Sequence, residues 1–180
     1  MRRSVQFRRA QLVQLVSFLL MLVVSPVGNL PLTAQTVASS SRVHRTAPNF
    51  SLVDLNHKKI ELTSYRGKVV LLAFWATWCA PCLTEMPTFA EWQQQYGSEK
   101  FQVIGVSMDD AAPEVIATVS KLKLDYPVLM GNERLGAAYG GILGLPVTFV
   151  IDRDGKIRTR YQSADLAHIK DDIQSLLKSK

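Results

Sequence analysis

The chain holds two cysteines, and they are two residues apart in Cys79-Ala80-Pro81-Cys82. A dithiol at this spacing does redox chemistry when it sits where a strand runs into a helix. The flanks have that form: residues 68–75 are an apolar β-type segment, and residues 83–96 carry a helical pattern. If Cys79 caps the helix, its sulfur lies beside the unpaired N–H groups of the first turn. The partial positive charge there favours a thiolate. Thiols of this kind have pKa values as low as about 3.5–7.5, against roughly 8.5 for a free cysteine. The thiolate is the attacking species in thiol–disulfide exchange. Cys82 then falls at the third helical position, where an N-cap side chain and the backbone approach each other as in a capping box. Pro81 lies in the first turn, where its missing N–H is not needed. Cys79 is therefore expected to be the nucleophile, Cys82 the resolving thiol, and the Cys79–Cys82 disulfide the oxidised product.

Two other uses of the pair carry less weight. A zinc site takes about four ligands. Beyond the two cysteines the chain offers only the scattered His44, His57 and His168, so no metal is expected. A purely structural disulfide closing so small a loop would constrain the unfolded chain little.

Trp78-Cys79-Ala80-Pro81-Cys82, followed by Glu85 and Pro87, resembles the TlpA/ResA-like branch of the thioredoxin-fold oxidoreductases, over about residues 45–178. The resemblance implies that Leu145-Pro146-Val147-Thr148 is a cis-proline loop facing the cysteines. The backbone of Leu145 would pair with an extended substrate chain in a strand-like way. Pro146 puts neither an N–H nor a metal-binding side chain beside Cys79. The resemblance also associates Glu85 with tuning the cysteines. Glu85 has two readings from the residues alone. It is an ordinary solvated glutamate, or it is buried below the thiols, with a pKa raised by burial and able to exchange a proton with Cys82. Trp75 continues the strand into the core. Trp78 shields the sulfur of Cys79 and offers a flat contact to substrate. Thr77 helps to shape the loop.

The elements that must position these residues follow in order. Residues 50–54 and 58–62 form a hairpin around Leu55-Asn56-His57, and residues 63–67 a helical turn closed by Gly67. Residues 69–74 are a continuous apolar run, which suits a central strand buried on both faces. The helix after Cys82 contains Pro87, which cannot donate to Leu83 and is expected to kink it. Residues 101–108 are a second buried strand, ending at Asp109-Asp110. Residues 113–123 are helical, with Val115, Ile116, Val119 and Leu122 on one side. A short strand at 126–129 and a short helix at 132–139 come next. Gly140-Gly141-Ile142-Leu143-Gly144 lacks the glycine-lysine signature of a phosphate loop and reads as a loop shaped around Pro146. Val147–Ile151 is a strand, residues 152–155 a hairpin turn, Lys156–Tyr161 a returning edge strand, and residues 165–178 the closing helix. This order predicts an α/β domain with a mixed central sheet and helices on both faces, matching a thioredoxin fold. The N-terminal β-hairpin and a central helix–strand insertion around residues 111–130 would be the additions of the TlpA-like branch.

The 180 residues suffice for one domain with a proper core, and 47% hydrophobic content argues against disorder. The formal charge of +6 is concentrated at the start. Arg2, Arg3, Arg8 and Arg9 precede any acid, and the remaining 17 basic and 15 acidic residues leave a net of +2, which gives no reason to expect nucleic acid. Those arginines are followed by an uncharged apolar stretch and then Pro26, Gly28 and Pro31, the layout of a secretory signal. The apolar part is also nearly long enough for a membrane anchor, which needs about 17–25 residues. A buried core helix fits the arginine flank poorly. The expected organisation is a signal peptide or N-terminal membrane anchor over 1–38, a linker over 39–46 and the thioredoxin-like domain over 47–180. Either N-terminal reading exports the domain to an oxidising compartment, in the periplasm or on the outer face of the cytoplasmic membrane.

The expected function is that of an extracytoplasmic protein-disulfide oxidoreductase without a cofactor, acting on protein substrates that bear disulfides or thiols. The resemblance implies reductant duty, often on apocytochrome c before haem attachment, and a membrane thiol–disulfide donor that reloads the pair. A peroxide reductase of the peroxiredoxin kind is the alternative enzyme. That family's P-x-x-x-T-x-x-C pattern fails here, because Leu72 and Ala76 stand where its proline and threonine belong. A redox-inert binding module is the alternative without catalysis.

Overall fold

The computed structural model describes residues 40–162 and 165–179. The expected signal or anchor over 1–38 lies outside the described residues. The first element is strand β1 (Ser40–Thr46). A hairpin of β2 (Ser51–Val53) and β3 (Lys59–Glu61) follows, with a short 3-10 turn (Leu62–Tyr65). Next come β4 (Val69–Trp75), α1 (Ala80–Lys100), β5 (Phe101–Ser107) and α2 (Ala112–Leu122). The chain continues with β6 (Val128–Met130), α3 (Glu133–Ala138), β7 (Val147–Ile151), β8 (Lys156–Tyr161) and α4 (Leu166–Lys178). Six strands form one sheet in the order β1-β8-β7-β4-β5-β6, and β2 pairs with β3 in a separate hairpin. β4 runs parallel to β5 and antiparallel to β7, so the sheet is mixed. This is the thioredoxin fold.

β4 lies at the centre because every one of its residues can be buried. Its alternation splits the core in two. Val69, Leu71, Ala73 and Trp75 meet Met86, Phe89 and Ala90 of α1, Val115 of α2, and Ile169 and Ile173 of α4. Val70, Leu72 and Phe74 meet Phe50, Ile60, Leu135 of α3, Tyr139 and Phe149 on the other face. Phe74, Tyr139 and Phe149 pack with ring centroids 5.1–5.9 Å apart, and the Tyr139 hydroxyl donates to the Pro48 carbonyl at 2.8 Å. The turn of the β2–β3 hairpin is built by Asp54, whose Oδ1 accepts the N–H groups of Asn56 and Lys58 at 2.9 and 2.8 Å. Gly105 of β5 has a packing reason: a Cβ there would stand 3.2 Å from Trp75 Nε1 and 3.4 Å from the Tyr126 ring.

Three expectations are corrected. Residues 40–46 are strand β1 rather than linker, pairing antiparallel with β8 from Ser40–Tyr161 to Thr46–Lys156 with an irregularity between Arg42 and Arg45. Their mostly polar and charged side chains conceal the strand, because its pairing is made by backbone and, among the apolar side chains, only Val43 packs against the core. For the same reason β8 is not an edge strand, since β1 covers it. The break in α1 falls at Gly97 (φ 69°, ψ 161°), where the departure from helical backbone suits glycine. Pro87 lies within the helix.

Candidate active site

At the end of β4 the chain turns through Ala76-Thr77-Trp78, and the Cys79 N–H closes the turn on the Ala76 carbonyl at 3.1 Å. Cys79 has extended backbone (φ −91°, ψ 94°) and is the N-cap of α1. Its Sγ accepts the Cys82 N–H at 3.3 Å. The sulfur thus takes the place of the oxygen in an ordinary N-cap and satisfies one of the orphan donors. Cys79 and Cys82 are joined as a disulfide with Cα atoms 5.3 Å apart. Exposure separates the two: Cys79 keeps 5% of its surface open, and Cys82 none. Trp78, beside them, is 71% exposed.

Glu85 lies one helical turn beyond Cys82, on the same side of α1. It is 2% exposed, so the solvated reading is ruled out. Its Oε2 has no hydrogen-bond partner among the described residues. Burial pushes its carboxyl up to about 8. Tyr126 belongs to the same buried region: burial raises its phenol, and the Glu85 charge raises it further. The Tyr126 hydroxyl donates to the Met86 carbonyl at 3.5 Å.

Pro146 is buried, Leu145 is half-buried, and the bond between them is cis. The antiparallel pairing of β4 with β7 ends at Phe74–Val147. Pro146 is therefore at the end of the sheet from which the cysteine turn leaves. Cys79, Cys82, Trp78 and Glu85 sit on one turn and helix, and the register of β7 brings Leu145-Pro146 to the same end.

Sequence reasoning missed Asp109 and Tyr126. In the sequence Asp109 marks only the end of a strand. Its carboxylate accepts the Thr77 N–H, the Thr77 hydroxyl and the Ser107 hydroxyl. The available signal was topological. Parallel strands bring their carboxyl ends together, and that is where α/β sites form. Among the described residues no three His, Cys, Asp or Glu side chains are grouped to hold a metal ion.

A thioredoxin fold with a disulfide-forming Cys-x-x-Cys at a helix N-terminus defines the class of protein-disulfide oxidoreductases, and this chain is such an enzyme. It belongs to the AhpC/TSA family, whose profile matches residues 43–160. It is 36% identical over 122 residues to thiol-disulfide oxidoreductase ResA of Bacillus thuringiensis, a match spanning 68% of this chain and 70% of that protein. It is 34% identical over 123 residues to ResA of Geobacillus thermodenitrificans, spanning 68% and 71%. Among solved structures it resembles a thiol:disulfide interchange protein of Chlorobium tepidum, with a TM-score of 0.67 and 30% identity, covering 76% of this chain and 99% of that one.

Proposed function

We propose that the protein is an extracytoplasmic reductant of substrate disulfides, with Cys79 as nucleophile and Cys82 as resolving thiol. The observation that carries this reading is the Cys79 sulfur on the Cys82 N–H at the start of α1, with a sealed Cys82 behind it. In the reduced form the Cys79 thiolate attacks one sulfur of the substrate disulfide, and the other substrate sulfur leaves as a thiolate. Cys82 loses its proton and attacks Cys79 Sγ. This releases the second substrate sulfur and forms the Cys79–Cys82 disulfide. Two electrons pass to the substrate, and a membrane thiol–disulfide donor returns two to the pair.

Glu85 serves the resolving step. A carboxyl pushed up to about 8 is close to a thiol in proton affinity, so a proton passes between them at little cost. Leu145 and Pro146 form the surface along which the substrate chain lies, and Trp78 gives it a flat apolar contact. Export rests on residues 1–38, as a cleaved signal or a retained anchor. Apocytochrome c cysteines are the substrate class that the TlpA/ResA-like resemblance of the Trp78–Pro87 motif implies.

The test is trapping. A Cys82→Ala protein expressed in its host should hold its substrate as a mixed disulfide through Cys79, released by reductant and identified by mass spectrometry. Absence of any adduct that a Cys79→Ala, Cys82→Ala control also lacks would count against the reading. A peroxide-consumption assay separates the peroxidase alternative, which Leu72 and Ala76 disfavour.

A further inference from the structure

The turn that carries Cys79 is held from outside by one carboxylate. Asp109 lies just past β5, and its two oxygens accept the Thr77 N–H at 3.2 and 3.0 Å. Oδ1 also accepts the Thr77 hydroxyl at 2.5 Å, and Oδ2 accepts the Ser107 hydroxyl at 2.7 Å. The Asp109 N–H donates to Ser107 Oγ at 3.1 Å, which fixes the carboxylate from its own side. The Met108 N–H donates to the Trp75 carbonyl at 2.8 Å, so the β4–β5 pairing runs directly into this clamp. Thr77 is interior to the turn whose last residue is Cys79. Its other neighbour, Trp78, is 71% exposed and gives the turn little anchorage. Bonds to an ionised acceptor are shorter and roughly twice as strong as neutral ones.

We propose that Asp109 is a positioning residue for the nucleophile: by fixing Thr77 it keeps the Cys79 sulfur on the N-terminus of α1. The inference rests on Cys79 being the attacking thiolate. Its contribution is geometric. A negative charge on this side of the turn would by itself oppose a second one on sulfur, so charge removal and loss of the clamp act in opposite directions.

The test is the pH dependence of Cys79 alkylation in the reduced full chain, with Cys82→Ala present throughout so that one thiol reports. Asp109→Ala should move the midpoint up by about one pH unit toward the free-thiol value of roughly 8.5, and slow alkylation at pH 6 about tenfold. Asp109→Asn, which keeps an acceptor for Thr77, should stay within about threefold of the parent. Thr77→Val, which keeps the N–H and loses the hydroxyl, should fall between them. A purely structural role would lower the melting temperature of the disulfide form and leave the alkylation midpoint in place; that result overturns the proposal. So does an Asp109→Asn protein as slow as Asp109→Ala. If Asp109→Ala does not fold, Thr77→Val decides the matter by the same midpoint, and an unmoved curve is the contrary result. The parent curve keeps the two claims apart. A parent midpoint near that of a free thiol defeats the reading of Cys79. A low parent midpoint shared by every variant defeats only the role of Asp109.

Discussion

Glu85 ties stability to pH with a definite sign. Its carboxyl ionises near 4.5 in an unfolded chain and near 8 in the folded disulfide form. Between those values the folded protein holds a proton that the unfolded chain has lost. Stability therefore falls as pH rises through this window and levels off above it. Glu85→Gln keeps the shape and removes the titration. Urea unfolding of the disulfide forms should show the variant more stable than the parent at pH 8.5, by on the order of a few kcal/mol, and the two closest at pH 4. A parent whose stability is flat from pH 5 to 8 would show that the carboxyl is hydrated. At this scale the cysteine pair at a helix start was legible from local spacing, and the cis bond before Pro146 from the family resemblance. The depth of Glu85 was not. An i, i+3 relation to Cys82 says which side of the helix it occupies, but its burial depends on packing with segments distant in sequence, and Tyr126 on one of them is close enough for the Glu85 charge to raise its phenol. Asp109 escaped for a related reason: its partner Thr77 is distant in sequence, and only parallel strand pairing brings them together.

Strands and helices came out of the sequence wherever burial leaves a period. β4 is a continuous apolar run, β5 and β7 are apolar apart from Gln102, Ser107 and Thr148, and all three are buried along their length, while α4 has an apolar side with Ile169 and Ile173 inward. β1 has no such signature, because it contributes backbone pairing and one half-buried valine. This gives a prediction about the strand. Of two shortened chains, one starting at residue 40 and one at residue 47, the second should unfold at lower urea and self-associate on size exclusion, as an uncovered β8 offers its edge to another copy. Coincident unfolding curves would mean that residues 40–46 act as a linker after all. The short α3 depends on its cap: Asn132 Oδ1 accepts the Leu135 N–H at 2.8 Å. Asn132→Ala should cost about 1 kcal/mol in unfolding free energy, with dithiol reactivity unchanged, since α3 supports the core face away from α1.

For the whole molecule, a single dithiol at one end of the sheet exchanges with the disulfides of protein substrates, and the proposed compartment would decide which it meets. Fusion of residues 1–39 to a reporter enzyme that works only outside the cytoplasm should give an active reporter, and an inactive one at normal expression would argue against export. All of this depends on which sulfur attacks and in what charge state. The most direct measurement is titration of the fully reduced protein by thiolate ultraviolet absorbance, with Cys79→Ala and Cys82→Ala variants to assign each step. The sulfur held on the Cys82 N–H should ionise first, with a midpoint within the range of about 3.5–7.5 found for helix-capping thiols. A Cys79 midpoint at or above roughly 8.5, the value of an unassisted thiol, would contradict the account.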